Sequence, residues 1–426
     1  MVKPISIQPR SGSAPSGAPS SATPPAPSGP VLFAAPHRPM FLAGVVQIFL
    51  SFLPWCWEML ARAGVAPGLT WPWPPGWVHG LLGLYGIFPF FVFGFLLTAM
   101  PRWQGMPDTP GKQAQAPWLL LVTGWALVDL GLVLAPGWLP ALGLVAVLAG
   151  WGRVLHALWP VARKPGASRL HALPAWTALA AGGLGLVCWL GFALGGAPTL
   201  ARAAVAIGLW WMLLPLFMVV SHRMIPFFSS SALPNYTPWR PHGMLHLLLA
   251  ASALHGLLAV LDQAAWAWPG DLAAAGMAGY ASYRWQLRRS LSVRLLGMLH
   301  LGFIWLGISW ALYAAQGLAQ LLGHPMLGLA PLHALTVGFF ATLTLAMVSR
   351  VSLGHSGRPL VADSLTWRLA LAVHLVAILR VAAELWPTGQ AVLLVFASFG
   401  WVGVFMPWAL RLLPIYLRAR VDGRPG

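Results

Sequence analysis

The chain has 426 residues, 58% of them hydrophobic and only 8% charged, at a mean hydropathy of +0.73. A soluble domain carries about 25% charged residues, so this composition excludes one and describes an all-α integral membrane protein in a lipid bilayer. The formal charge of +17 lies between long apolar runs and reads as a topology signal, not as a nucleic-acid surface.

Residues 11–30 are low-complexity, rich in Pro, Ser and Gly. They hold too little apolar surface to fold, so residues 1–36 are expected to form a disordered tail before one polytopic domain over 37–426. No apolar h-region follows Met1 in the window of a signal peptide, and the first apolar run starts at Met40. Twelve spans are expected, over about 40–62, 77–100, 117–135, 138–159, 172–195, 200–225, 241–261, 264–285, 295–321, 327–350, 365–386 and 390–417. The stretch 264–285 is the weakest, because Pro269 and Asp271 interrupt it. Cys56 and Cys188 lie in separate apolar runs without a CxxC, which fits small buried side chains better than a disulfide or a thiolate zinc site. Twelve spans put 22 of the 25 basic residues on one side, leaving Arg62, Arg202 and Arg380 on the other. By the positive-inside rule that basic side is cytoplasmic, and both termini lie there.

The 13 histidines outnumber the 8 acidic residues. His79 falls in the first outer turn of the second span. His333 falls in the outer third of the tenth, about five residues deeper, on the same side of the membrane. An imidazole inside a span is costly and faces a partner, a cavity or a cofactor. At regular helical spacing His79, Gly83, Gly86, Phe90 and Gly94 share one face, where the glycines admit a second helix or a flat macrocycle. Two readings stand at this point. His79 and His333 are axial ligands of a haem held between helices, or the glycines serve packing and each imidazole bonds a carbonyl or water.

A second group gathers toward the cytoplasm: His37, His222, His242, His246, His300 and His355. His242 and His246 share a helix face behind Pro241, and His355 is expected in a short loop after the tenth span closes at Ser349 and Arg350. Imidazoles without a competing thiolate suit copper; inert interfacial histidines are the plain alternative. His255 reads as a packing residue. Glu58 and Asp129 lie in spans, and Asp271 and Glu384 near span ends, with no close acidic pair for acid–base chemistry. GxxxxGK[ST] and GxGxxG are both absent from the sequence, so nothing here holds a nucleotide.

Four segments carry a family resemblance: GFLLTAMPRWQG (94–105), RMIPFFSSSAL (223–233), LGMLHLGFIW (296–305), and LHALTVGFF with VSRVSLGHSGR over 332–358. Together with the twelve-span layout they resemble the NnrS family. The resemblance implies a bacterial inner-membrane protein containing haem b and copper and linked to nitric oxide and nitrosative stress. It places His79, His300, His333, His355 and Arg350 on family positions, and adds Arg350 to His79, His333, Gly83 and Gly86 as cofactor-binding residues. The family continues its first histidine as H-x-H-E, whereas this chain reads HGLL, with Leu81 and Leu82 in place of the second His and the Glu. His222 stands where a glycine is expected. The layout also resembles, at the level of the fold, the haem–copper oxidase catalytic subunit, which ligates haem from its second and tenth spans. Any turnover is then expected to be that of a haem-dependent oxidoreductase acting on nitric oxide. The alternatives are a twelve-helix transporter, which predicts matching broken helices in two halves, and a non-catalytic metal- or haem-handling protein.

Overall fold

A segment crossing lipid must satisfy its own backbone polar groups, and an isolated segment does so only as a helix. The computed structural model describes residues 30–134 and 137–423, which form helices and no strands. The expected tail lies largely outside the described residues; within them, Val31–Phe33 forms a 3-10 turn with Phe33 packed edge-on to Trp118. Eleven helices among the described residues are long and apolar enough to cross a membrane. They are α1 (His37–Arg62), α2 (Pro75–Trp103), α3 (Gly111–Leu134), α4 (Trp138–Arg163), α5 (Arg169–Ala193), α6 (Pro198–Ala232) and α7 (His242–Val260). After α8 come α9 (Arg294–Leu321), α10 (Ala330–His355), α11 (Ser364–Leu385) and α12 (Pro387–Leu417).

The helix between them, α8 (Trp268–Arg284), has 17 residues and spans about 26 Å. Two observations make it the twelfth crossing. The Trp285 indole at its end donates to Trp239 O, 2.9 Å away, just before α7 begins, so α8 runs back along the whole of α7. The Arg38 guanidinium donates to Arg418 O at 2.8 Å, so the start of α1 and the end of α12 lie on one face, which requires an even number of crossings. Asp271, which weakened this helix in the sequence, is buried against His255 at 2.9 Å.

Charge follows the same layout. The three arginines left off the basic side each face a carboxylate: Arg62 with Glu58, Arg202 with Asp262 and Arg380 with Glu384. The opposite face therefore carries little net positive charge. On the chain-end face Arg420 donates to His355 O at 2.8 Å and Val421 N to Ser356 O at 3.0 Å, which ties the C-terminal segment over the end of α10. Hydrogen bonding to Asp422 holds the Arg420 guanidinium above its ordinary range.

Four spans form the inner ring: α2, α6, α9 and α10 are 61–83% buried over their apolar windows, against 28–44% for the other seven. Peripheral pairs pack through glycine. A Cβ on Gly124 of α3 would sit 2.7 Å from Gly143 O on α4, and one on Gly143 would meet Gly124 O at 2.6 Å. Gly124→Val is therefore expected to destabilise the fold by about 1–3 kcal/mol through overpacking, read as a lower unfolding midpoint in detergent. An unchanged midpoint would show that the α3–α4 contact is not tight.

Two helices run further than the sequence indicated. α6 continues to Ala232, beyond the expected 225, with the Ser229, Ser230 and Ser231 hydroxyls donating back to carbonyls of its own last turns. α10 continues through Arg350 to His355, which is the last helical residue and not part of a loop. Ser352 in this extension bonds the Tyr416 hydroxyl of α12 at 2.8 Å. At its other end α10 starts later than the expected 327. Leu327 and Gly328 have positive φ (75° and 45°), so the helix cannot begin until Ala330.

Candidate functional site

That late start brings the two outer histidines to one level. His79 is the fifth residue of α2 and His333 the fourth of α10, so counted along their helices the two differ by one residue, not by five. Arg380 donates to Glu384 at 2.6 Å, and the other Glu384 oxygen accepts from Leu329 N at 3.2 Å. Gln316 donates to Gly328 O at 2.7 Å. The turn that carries His333 is thus held from α9 and from α11.

His333 Nδ1 donates to Leu329 O at 3.0 Å, because a carbonyl can only accept. This fixes the tautomer and leaves Nε2 with its lone pair, the arrangement that a backbone carbonyl imposes on a metal-ligating histidine. The His79 ring stacks on Trp55 at 4.1 Å and meets Phe52 edge-on at 5.6 Å, and Phe52 stacks on Trp401. Helices α1 and α12 therefore orient it.

Each of the two histidines precedes a π-helical stretch, Leu82–Ile87 in α2 and Ala334–Ala341 in α10. Such wide turns concentrate at functional sites. They also break the expected stripe, whose spacing assumes an unbroken α-helix. Gly83 faces open space, Gly86 faces Trp125 and Gln47, and Gly94 packs on Phe41 and Met40 of α1. Only Gly83 remains available to a ligand beside His79. Leu81 and Leu82 are both buried in the apolar core, so no polar group replaces the second His and the Glu there.

Arg350 lies at the far end of α10, 17 residues beyond His333, or about 25 Å along the axis. One haem does not reach both. The residue is 8% exposed, and its guanidinium sits over the Phe228 ring at 3.9 Å. All eight carboxylates of the chain are engaged elsewhere: six with arginines, Asp129 with Gln47 and Asp271 with His255. Among the described residues Arg350 accordingly has no carboxylate partner.

The inner histidines do not form one cluster. His37 and His355 face each other with ring centroids 4.7 Å apart, and His37 Nδ1 is buried without a partner. His300 bonds Ser229 Oγ at 3.0 Å, with the hydroxyl donating onward to Ile225 O. His242 and His246 point outward from α7 and are exposed. His222 instead pairs with His171, which the sequence reading missed because it sits in a polar-looking span edge. Pro241 O can only accept, so His222 Nε2 carries a proton; in the neutral pair His171 Nε2 then donates to His222 Nδ1 at 2.9 Å. Among the described residues no three His, Cys, Asp or Glu side chains come together as metal ligands. His374 was also missed; its Nδ1 accepts from the Trp305 indole at 2.8 Å. A histidine in the middle of an apolar span was the available signal.

The sequence profile of the NnrS family matches residues 31–420. No curated protein matches the chain. A match over nearly the whole helical bundle, including both ends of α10, settles the relationship: the chain belongs to the NnrS family, as a multi-pass membrane protein of the nitric oxide response.

Proposed function

We propose that the protein binds haem b between α2 and α10, with His79 and His333 as axial ligands, and binds or reduces nitric oxide in the bacterial inner membrane. Both termini are then cytoplasmic, as the basic face requires. The observation that carries the reading is that two imidazoles, far apart in sequence, each stand in the first turns of a buried span just ahead of a π-helical stretch. The donor set fits the group: nitrogen ligands alone, one tautomer set by a backbone carbonyl, and open space at Gly83.

The bound haem would supply one-electron chemistry, and nitric oxide would reach its iron only where one of the two imidazoles gives way. The chain's own residues have separate tasks. Leu329 O holds the His333 proton at Nδ1 and keeps Nε2 basic. Trp55 and Phe52 fix the His79 ring plane. Arg380 offers a positive charge to an acidic group at this level, shared with Glu384. Arg350 offers its unpaired guanidinium at the opposite level, for an anion other than that haem's own acidic groups. The inner histidines come in pairs at most, so a copper centre with three protein ligands does not fit, and copper has no part in this reading.

The test is an optical spectrum with metal analysis on one purified sample. A b-type Soret band with sharp reduced α and β bands, and iron near one per chain, is the expected result. A colourless, iron-free preparation from haem-replete cells removes the proposal.

A further inference from the structure

An apolar pocket lies in the inner ring beside the inner histidines, lined from α1, α2, α6, α9 and α10. Its void is about 50 Å³, and 14 of its 16 lining residues are apolar, Phe91, Phe217, Val220 and Val348 among them. A space of that size admits a small molecule, since holding one water takes about 10–15 Å³ of probe-occupied space. The two polar residues behave differently. The Thr344 hydroxyl donates back to Phe340 O at 2.7 Å, within its own helix. The Ser221 hydroxyl is buried, in a residue 2% exposed, and has no partner.

This makes Ser221 unlike its counterparts. A buried helical serine or threonine ordinarily satisfies itself on the carbonyl one turn back. Thr98, Ser229, Thr342 and Thr344 all do so here. Ser221 is the one buried hydroxyl among the chain's described serines and threonines without a hydrogen bond. An unmade bond in an apolar interior costs about 1–3 kcal/mol, and Ser221 is one of the residues that line the pocket. The lining holds no histidine, cysteine or carboxylate, so it offers a metal nothing to ligate. It also holds no charge for an ion.

We propose that this cavity is a holding site for a neutral, apolar molecule of two or three heavy atoms, which accepts one hydrogen bond from Ser221. An apolar gas partitions from water into such a space, and one donor against a wholly apolar wall favours a guest with one weak acceptor over water, which needs two to four polar partners. That the guest is nitric oxide rests on the function proposed above. The size and polarity of the site do not.

Xenon is the probe, applied to the whole purified protein, with occupancy read by xenon NMR shift or in pressurised crystals. The expected result is one xenon between α6 and α10. Val348→Phe should fill the space and lose the xenon while keeping the unfolding midpoint. Ser221→Val should keep the xenon, because xenon needs no donor. Val220→Phe serves as a second filling variant if the first does not fold. No xenon in the unmodified protein, or equal xenon in the folded filled variants, overturns the proposal. The haem spectrum of the same sample reports separately on the proposed function. Where haem is present, Ser221→Val should in addition shift the infrared stretch of nitric oxide trapped in the protein after photolysis at low temperature. An unshifted stretch rejects the hydrogen bond.

Discussion

His333→Ala is expected to abolish the low-spin haem spectrum, and His79→Ala to do the same. Loss of either ligand leaves an iron with one imidazole, and the low-spin signature needs both. His333 has the sharper expectation, because its tautomer is set by Leu329 O and its turn is pinned by Gln316 and Glu384. Glu384→Gln should weaken haem retention without removing the ligand, within the 10–100-fold that is typical when an outer-shell partner is lost. His300→Ala is the control at the other level: its imidazole bonds Ser229 on the inner side, so the spectrum should stay as it is. If both His79→Ala and His333→Ala keep an unaltered low-spin spectrum, the haem lies elsewhere.

The second large effect concerns stability. His255 and Asp271 are 4% and 1% exposed, joined at 2.9 and 3.0 Å, with the His255 ring stacked on Trp210 at 3.8 Å. His255→Leu leaves the carboxylate buried without its partner, which costs about 3–5 kcal/mol. The double variant His255→Leu, Asp271→Leu removes both polar groups and should recover most of that loss, since an apolar pair of similar volume is often neutral or better. Unfolding in detergent measures both. A double variant as unstable as the single one would mean that packing against Trp210, not the ion pair, is what α8 depends on. The twelve-span topology makes this pair matter, because α8 is the shortest crossing and carries the charge.

The two largest differences between sequence and structure have identifiable causes. Hydropathy is a local property, so eleven spans were legible directly, and the alternation of basic residues identified the twelfth despite Pro269 and Asp271. The partner that neutralises Asp271 is 16 residues away on α7, and no local pattern shows it. The glycine stripe below His79 was read with α-helical spacing, and the π-helical stretch at Leu82–Ile87 shifts the register after the first turn. Such a stretch is stabilised by neighbouring helices and leaves no periodic trace in the sequence. The grouping of inner histidines failed for a related reason. Depth in the membrane follows from position along a span, but azimuth around the helix axis does not follow once twelve helices pack.

By itself the sequence determined the class, the number of crossings and the side on which the charge lies, because all of these follow from composition along the chain. It also marked α10 as the helix with a histidine near each end. Only the tertiary structure decided which imidazoles meet. It placed His333 level with His79 by delaying the helix start to Ala330, and it separated both from Arg350 by the length of one helix. It exposed His242 and His246, paired His222 with His171 and left Ser221 facing an apolar void. Those outcomes depend on contacts between residues distant in sequence, and each is settled by what the neighbouring helix offers.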